Sequence, residues 1–239
     1  MKKIGIIGAM EIEVEDLIAE LTPSTVKKEI KITAAGNLIF YEGKLGDIDV
    51  VITRSGVGKV NAALCAQRLI IQFGVTHIIN TGIAGSLAKG LKVFDVVVST
   101  DALYHDMDVS VFGYKPTQIP QMTISDFPAD KELVSLVKKV WKNLKNDDGQ
   151  KMLFGRVASG DQFISSKEQK SLIETNCKPM CVEMEGAGVA HACFLNNIPF
   201  VIIRTISDNS DDSEYSFNEK IAAKKSSALL TEIIKNIKA

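Results

Sequence analysis

Three acidic residues stand at or just beyond the ends of apolar, strand-like runs. Glu13 follows Ile4 to Ile7, Glu185 closes the segment Val182-Glu183-Met184-Glu185, and Asp208 ends the run from Phe200 to Ser207. Strand ends are where α/β folds build their sites. Three carboxylates so placed point to acid/base chemistry on a polar, sugar-containing small molecule. Each also has a plainer reading. Glu13, in the company of Glu11, Glu15 and Asp16, can simply stabilise the first turn of a helix through its dipole, and Glu185 can do the same at another helix start. Asp208 can cap the turn Asp208-Asn209-Ser210-Asp211. What favours chemistry is Arg204, four residues before Asp208 inside an otherwise apolar run, because a buried charge requires a partner or a purpose.

Other motifs carry less. Gly5-Ile6-Ile7-Gly8-Ala9-Met10 lacks the Gly-x-Gly start and third glycine of a dinucleotide site. Gly56-Val57-Gly58-Lys59 lacks phosphate-loop spacing and has Val60 where a magnesium ligand would stand, so it reads as a tight turn and helix start. Cys177 and Cys181 are separated by Lys-Pro-Met, an unusual zinc spacing with no second pair, and with Cys65 and Cys193 they read as buried thiols of a reducing compartment. His77, His105 and His191 are not at ligand spacing from one another. Neither a metal nor a cofactor is expected.

The elements that must position the carboxylates alternate. Lys3 to Ile7 reads as a strand, followed by a helix with Val14, Leu17, Ile18 and Leu21 inward and Pro23 as its stop. Leu38 to Leu45 and Ile48 to Ser55, joined by Gly46-Asp47, predict an antiparallel hairpin and so a mixed sheet. Helix 58–73, strand 75–81 and a glycine turn from Gly82 to Ser86 follow, then a Val-rich strand from Asp95 to Leu103. The stretch from Tyr104 to Asp126 is a long loop of functional character. Asp130 caps a helix through Lys145, Lys151 to Ser159 is a strand, and Ser165 and Ser166 make capping boxes with Glu168 and Gln169. A strand to Glu183, a helix from Met184 to Asn196, the strand to Ser207 and a helix from Phe217 to Lys238 complete a three-layer αβα sandwich.

The 239 residues, 46% hydrophobic and 24% charged, suit one domain spanning 1–239. A net charge of -1 with scattered lysines argues against nucleic acid as a partner. The apolar run behind Lys2-Lys3 stops at Met10, too short for a secretory signal, and no apolar run approaches the roughly 20 residues of a membrane span. A soluble, cytoplasmic protein is expected.

Five segments in order, Gly8-Ala9-Met10 with the acidic helix start, Thr81-Gly82-Ile83-Ala84-Gly85, Ser159-Gly160-Asp161-Gln162-Phe163-Ile164, Val182 to Glu185 and Arg204 to Asp208, resemble the 5'-methylthioadenosine/S-adenosylhomocysteine nucleosidases. These belong to the purine nucleoside phosphorylase superfamily. The resemblance implies that Glu13 polarises water, Asp208 protonates N7 of adenine, Glu185 holds the ribose hydroxyls with Glu183 in support, and Arg204 orients the carboxylates. It places Phe163 on the adenine face and the Ile164 backbone at its edge. Met10, Met184, Ile52 and Phe217 would line the ribose and thioether, with Gly85 and Ser207 also in the site. Val109, Phe112, Tyr114 and Pro120 would serve the neighbouring subunit of a homodimer.

One departure stands out. Many members have a serine at the position of Ile83, whose hydroxyl helps to place the acid; here the backbone or Ser207 supplies that bond, or Asp208 is held less tightly. Gln162 resembles members that also hydrolyse 6-amino-6-deoxyfutalosine. The alternatives are a phosphate-dependent nucleoside phosphorylase, disfavoured because Glu13 would repel a phosphate dianion, and a nucleoside-binding protein without catalysis.

Overall fold

Near-continuous apolar runs mark strands covered on both faces, and β1 (Lys3–Gly8) shows it directly. Ile6 turns to one side of the sheet and Ile7 to the other, and both are fully buried. The computed structural model describes residues 2–23, 29–144, 149–210 and 215–237, the last of these by backbone alone over 215–217. After β1 come α1 (Glu11–Ala19), β2 (Lys31–Ala35), β3 (Leu38–Leu45), β4 (Ile48–Arg54), α2 (Lys59–Phe73) and β5 (His77–Ser86). They are followed by β6 (Val96–Tyr104), β7 (Asp126–Pro128), α3 (Lys131–Asn143), β8 (Met152–Ser159), α4 (Lys167–Cys177), β9 (Cys181–Glu183), α5 (Gly186–Leu195), β10 (Phe200–Asp208) and α6 (Tyr215–Lys235).

The sheet is mixed. β1 lies parallel between β4 and β5, while β3 runs antiparallel to β4 in the predicted hairpin, and β2 extends it. On the other side of β5 the sheet closes on itself. β5 pairs parallel with β10, β10 antiparallel with β6, β6 parallel with β8, β8 parallel with β9, and β9 antiparallel back to β5. Helices α2 and α5 cover one face of the sheet, and α1, α3 and α6 cover the other. α4 packs Ile173 and Cys177 on a smaller cluster with Val182 and Ala158. Each fully buried Ile, Leu or Val contributes about 1.5–3 kcal/mol.

Several boundaries differ from the sequence expectation: α1 already ends at Ala19, ahead of Leu21 and Pro23, and α6 starts at Tyr215 rather than Phe217. Gly82 to Ser86 is the second half of β5, not a turn, because it pairs with both β10 and β9. β2 was not anticipated: three of its five residues are exposed and it pairs only with β3, so no inward periodicity marks it. β7, of three residues, forms inside the end of the long segment by pairing with β6. α5 begins at Gly186, because Met184 and Glu185 form the turn out of β9. The predicted helix end at Lys145 lies outside the described residues.

Candidate active site

Glu13 sits at the third position of α1, and its carboxylate folds back over the helix start. One oxygen, Oε2, accepts from the backbone N–H groups of Ala9 at 2.7 Å and Met10 at 2.9 Å, and Oε1 accepts from Ile83 N–H at 3.0 Å. The plain helix-start role and the chemical one therefore coexist in one side chain. Only 1% of Glu13 is exposed, and burial raises its pKa against the opposing pull of Arg204 and the three N–H groups. A carboxylate poised above its ordinary value is the property a general base needs. Gly82 makes this approach possible, since a Cβ there would lie 2.2 Å from Arg204 Nη1 and 2.4 Å from Glu13 Oε1.

Arg204 is fully buried in β10, beside Gly82 in register. Its Nη2 donates to Asn80 Oδ1 at 2.6 Å and to Glu183, and its Nη1 donates to the Thr81 carbonyl at 3.2 Å. Glu183 Oε2 also caps the start of α5 by accepting from Gly186 N–H at 2.7 Å and Glu185 N–H at 3.1 Å. Its other oxygen accepts from the Ser159 hydroxyl, which in turn accepts from Ala187 N–H at 2.7 Å. Glu185 is more loosely compensated. It accepts from Gly58 N–H at 2.9 Å and lies 3.7 Å from Arg204, and burial together with the neighbouring Glu183 charge pushes its pKa up to about 7.

At the end of β10 the Asp208 carboxyl accepts from the Ser207 hydroxyl at 2.7 Å and from Ser210 N–H at 2.8 Å. Both a backbone group and Ser207 thus hold this side chain, and Ile83 contributes none of its side-chain hydrogen bonds. Asp208 is 7% exposed.

The four carboxyl groups, Glu13, Glu183, Glu185 and Asp208, open on one cavity of about 270 Å³, near the lower end of the range for small-molecule sites. It brings together ten of the residues singled out in the sequence: Met10, Glu13, Gly85, Phe163, Ile164, Glu183, Met184, Glu185, Ser207 and Asp208. Phe163, on the loop between β8 and α4, keeps 59% of its surface exposed at this cavity.

One expectation is corrected, and the remaining described residues assigned to the site from the sequence lie outside the cavity lining. Ile52 does not reach the cavity; it is fully buried in the cluster with Ile4, Ile6 and Val50, because its position on β4 faces the α1 side of the sheet. Arg204 lies behind the cavity wall and works through Glu183 and Glu185. Val109, Phe112, Tyr114 and Pro120 do not line the cavity of their own chain. The Phe217 side chain lies outside the described residues.

Sequence reasoning missed Ser210, Val57 and Glu219 as lining residues. Gly56-Val57-Gly58-Lys59 carried a signal in its paired glycines, and it is the Gly58 N–H that reaches Glu185. Nothing local marks Glu219, which arrives with α6 from far along the chain. Among the described residues no group of three or more His, Cys, Asp or Glu side chains is arranged to hold a metal, and no helix is long and apolar enough to cross a membrane.

The description "Phosphorylase superfamily" fits residues 3–235 of the chain. A curated 5'-methylthioadenosine/S-adenosylhomocysteine nucleosidase of Staphylococcus haemolyticus is 41% identical over 236 residues, covering 97% of this chain and 99% of the relative. Among solved structures, the nucleosidase of Neisseria meningitidis in complex with methylthio-immucillin-A superposes with a TM-score of 0.90 at 36% identity, covering 99% of this chain and all of that one. The futalosine hydrolase of Helicobacter pylori gives a TM-score of 0.89 at 30% identity, covering 99% of this chain and 98% of that one. With the ordered acidic motifs gathered in one cavity and this similarity along its whole length, the chain belongs to the 5'-methylthioadenosine/S-adenosylhomocysteine nucleosidase family of the phosphorylase superfamily.

Proposed function

We propose that the protein, acting as one domain, hydrolyses the N-glycosidic bond of 5'-methylthioadenosine and S-adenosylhomocysteine, releasing adenine and the thioribose. The observation that carries this reading is the pairing of Glu13 and Asp208 in one cavity whose lining, among the described residues, contains no Lys or Arg. The nearby cation, Arg204, is buried and already engaged by Asn80 and Glu183. A phosphate dianion entering beside Glu13 and Glu185 would meet like charge in a poorly screened site, which favours water as the nucleophile.

In this mechanism ionised Glu13 takes a proton from water while Asp208 gives one to adenine N7, dividing the work on an oxocarbenium-like ribose much as two carboxylates do in glycoside hydrolases. Glu185 binds the ribose hydroxyls, and its negative charge stabilises the developing cation. Phe163 stacks on the base and the Ile164 backbone reads its edge. Met10 and Met184 give the methylthio group an apolar, adaptable wall. Methionine salvage and the recycling of S-adenosylmethionine by-products are the processes such a cytoplasmic enzyme serves. The same site takes 5'-deoxyadenosine, and Gln162 with the likeness to a futalosine hydrolase supports 6-amino-6-deoxyfutalosine as a further substrate. The protein works as a homodimer in which Val109, Phe112, Tyr114 and Pro120 complete the neighbouring subunit's pocket.

The test is adenine release from 5'-methylthioadenosine with and without phosphate. Free methylthioribose formed without phosphate supports the hydrolase, whereas methylthioribose 1-phosphate formed only with phosphate assigns a phosphorylase. Glu13→Gln and Asp208→Asn should each lower kcat by about 10²–10⁴ while retaining substrate binding. Unaltered turnover in either variant would remove that residue from the mechanism.

A further inference from the structure

Ser210 is fully buried, lines the cavity, and among the described residues its hydroxyl has no hydrogen-bond partner. An unpaired buried hydroxyl is destabilising, because it has given up its hydrogen bonds to water without replacement. Its backbone adds to that cost, because Ser210 has a φ of +57°, in the left-handed region that residues with a Cβ seldom adopt. This conformation belongs to the turn that brings the Ser210 N–H onto Asp208 Oδ1. Gly85 accommodates the side chain on the facing strand. A Cβ at position 85 would lie 2.1 Å from Ser210 Oγ and 3.0 Å from Asp208 Oδ1, so the hydroxyl and the acid share one bare stretch of β5 backbone. A polar atom buried at this cavity, unsatisfied by the protein and beside the proton donor, is placed to meet a ligand.

We propose that Ser210 is a specificity-determining residue for the leaving base: its hydroxyl accepts a hydrogen bond from the exocyclic 6-amino group next to the ring nitrogen that Asp208 protonates. This rests on the hydrolase reading above. Adenine presents N7 and the 6-amino group side by side on one edge. A carboxylic acid aimed at N7 therefore puts a neighbouring hydroxyl within the reach of the amino group. The consequence is discrimination in favour of 6-aminopurine nucleosides, since a base lacking that group leaves the hydroxyl unpaired in the complex.

The experiment compares kcat/KM for 5'-methylthioadenosine and for its analogue with hydrogen in place of the 6-amino group, in the wild-type protein, Ser210→Ala and Ser210→Gly. Both variants lack the hydroxyl, and glycine adopts the left-handed φ without strain. The ratio of the two kcat/KM values cancels any change of fold or of acid placement that both substrates feel. It should fall about twofold to tenfold in both variants, the range expected for one hydrogen bond. A ratio unchanged in both variants, or changed in the alanine variant alone, overturns the proposal. Wild-type protein that releases no base from either nucleoside overturns the hydrolase reading instead, a result distinct from every variant pattern.

Discussion

Three carboxylates, Glu13, Glu183 and Glu185, surround the single guanidinium of Arg204, so one cation cannot neutralise all of them when ionised. Glu183 has the close contact with Arg204 and the helix-start N–H groups, and Glu185 carries the deficit. Its pKa of about 7, against an ordinary 4.5, means that between these pH values the folded protein holds a proton that the unfolded chain has lost. Stability attributable to Glu185 therefore falls as pH rises from about 4.5 to 7, and its ionised form is a standing cost above that range. Glu185→Gln should raise Tm at pH 8 and leave it nearly unchanged at pH 4.5, while impairing ribose binding. Thermal melts at the two pH values check this, and an equal difference at both would show that charge is not the cause. Glu13, also raised by burial, sets the acid side of the rate profile: activity should fall as pH drops through its elevated pKa.

At the level of elements, β5 does most to assemble the site. It lies between β1 and β10, so its second half runs beside the end of β10 and against Glu13 at the start of α1. Its glycine at 82 is required by the close approach of Arg204 and Glu13, which is why a segment that reads locally as a turn is a strand in a crowded place. Gly82→Ala should destabilise the fold by about 1–3 kcal/mol, the usual cost of overpacking, and should reduce activity strongly by displacing Glu13. Denaturant unfolding together with a turnover assay tests this. Wild-type stability in the variant would mean that the strand shifts freely and that the approach is not constrained.

Over the whole molecule, the large apolar side chains left exposed at the surface include two close pairs. Val60 and Leu64 stand one turn apart on the outer side of α2, 69% and 59% exposed, and Val111 and Phe112 in the 104–126 segment are 85% and 78% exposed. Exposed groups of this kind are the mark of association surfaces. In the homodimer proposed above, Phe112 would enter the partner's pocket. Native protein should sediment at twice the 26.0 kDa chain mass. Phe112→Asp should shift it towards monomer and raise KM for methylthioadenosine about tenfold, a loss of roughly 1.4 kcal/mol. A fully active monomer in the wild type would rule out the shared pocket.

Much of this molecule was legible along the chain because its signals are local. Apolar runs and the caps Asp130 and Ser166 mark most of the elements, and the acidic residues at strand ends mark Glu13, Glu185 and Asp208. What local signals could not supply was the pairing of strands distant in sequence. Pairing of β10 with β5 sets Arg204 beside Gly82, closes the sheet and turns Gly82 to Ser86 into strand. Side-chain direction was equally hidden. Ile52 and Met10 are both apolar residues near strand ends, yet one fills the core and the other faces the cavity. An apolar side chain looks the same in sequence whether protein or ligand covers it, whereas a carboxylate buried with one shared cation carries an electrostatic cost that is evident only once the chain has folded around it.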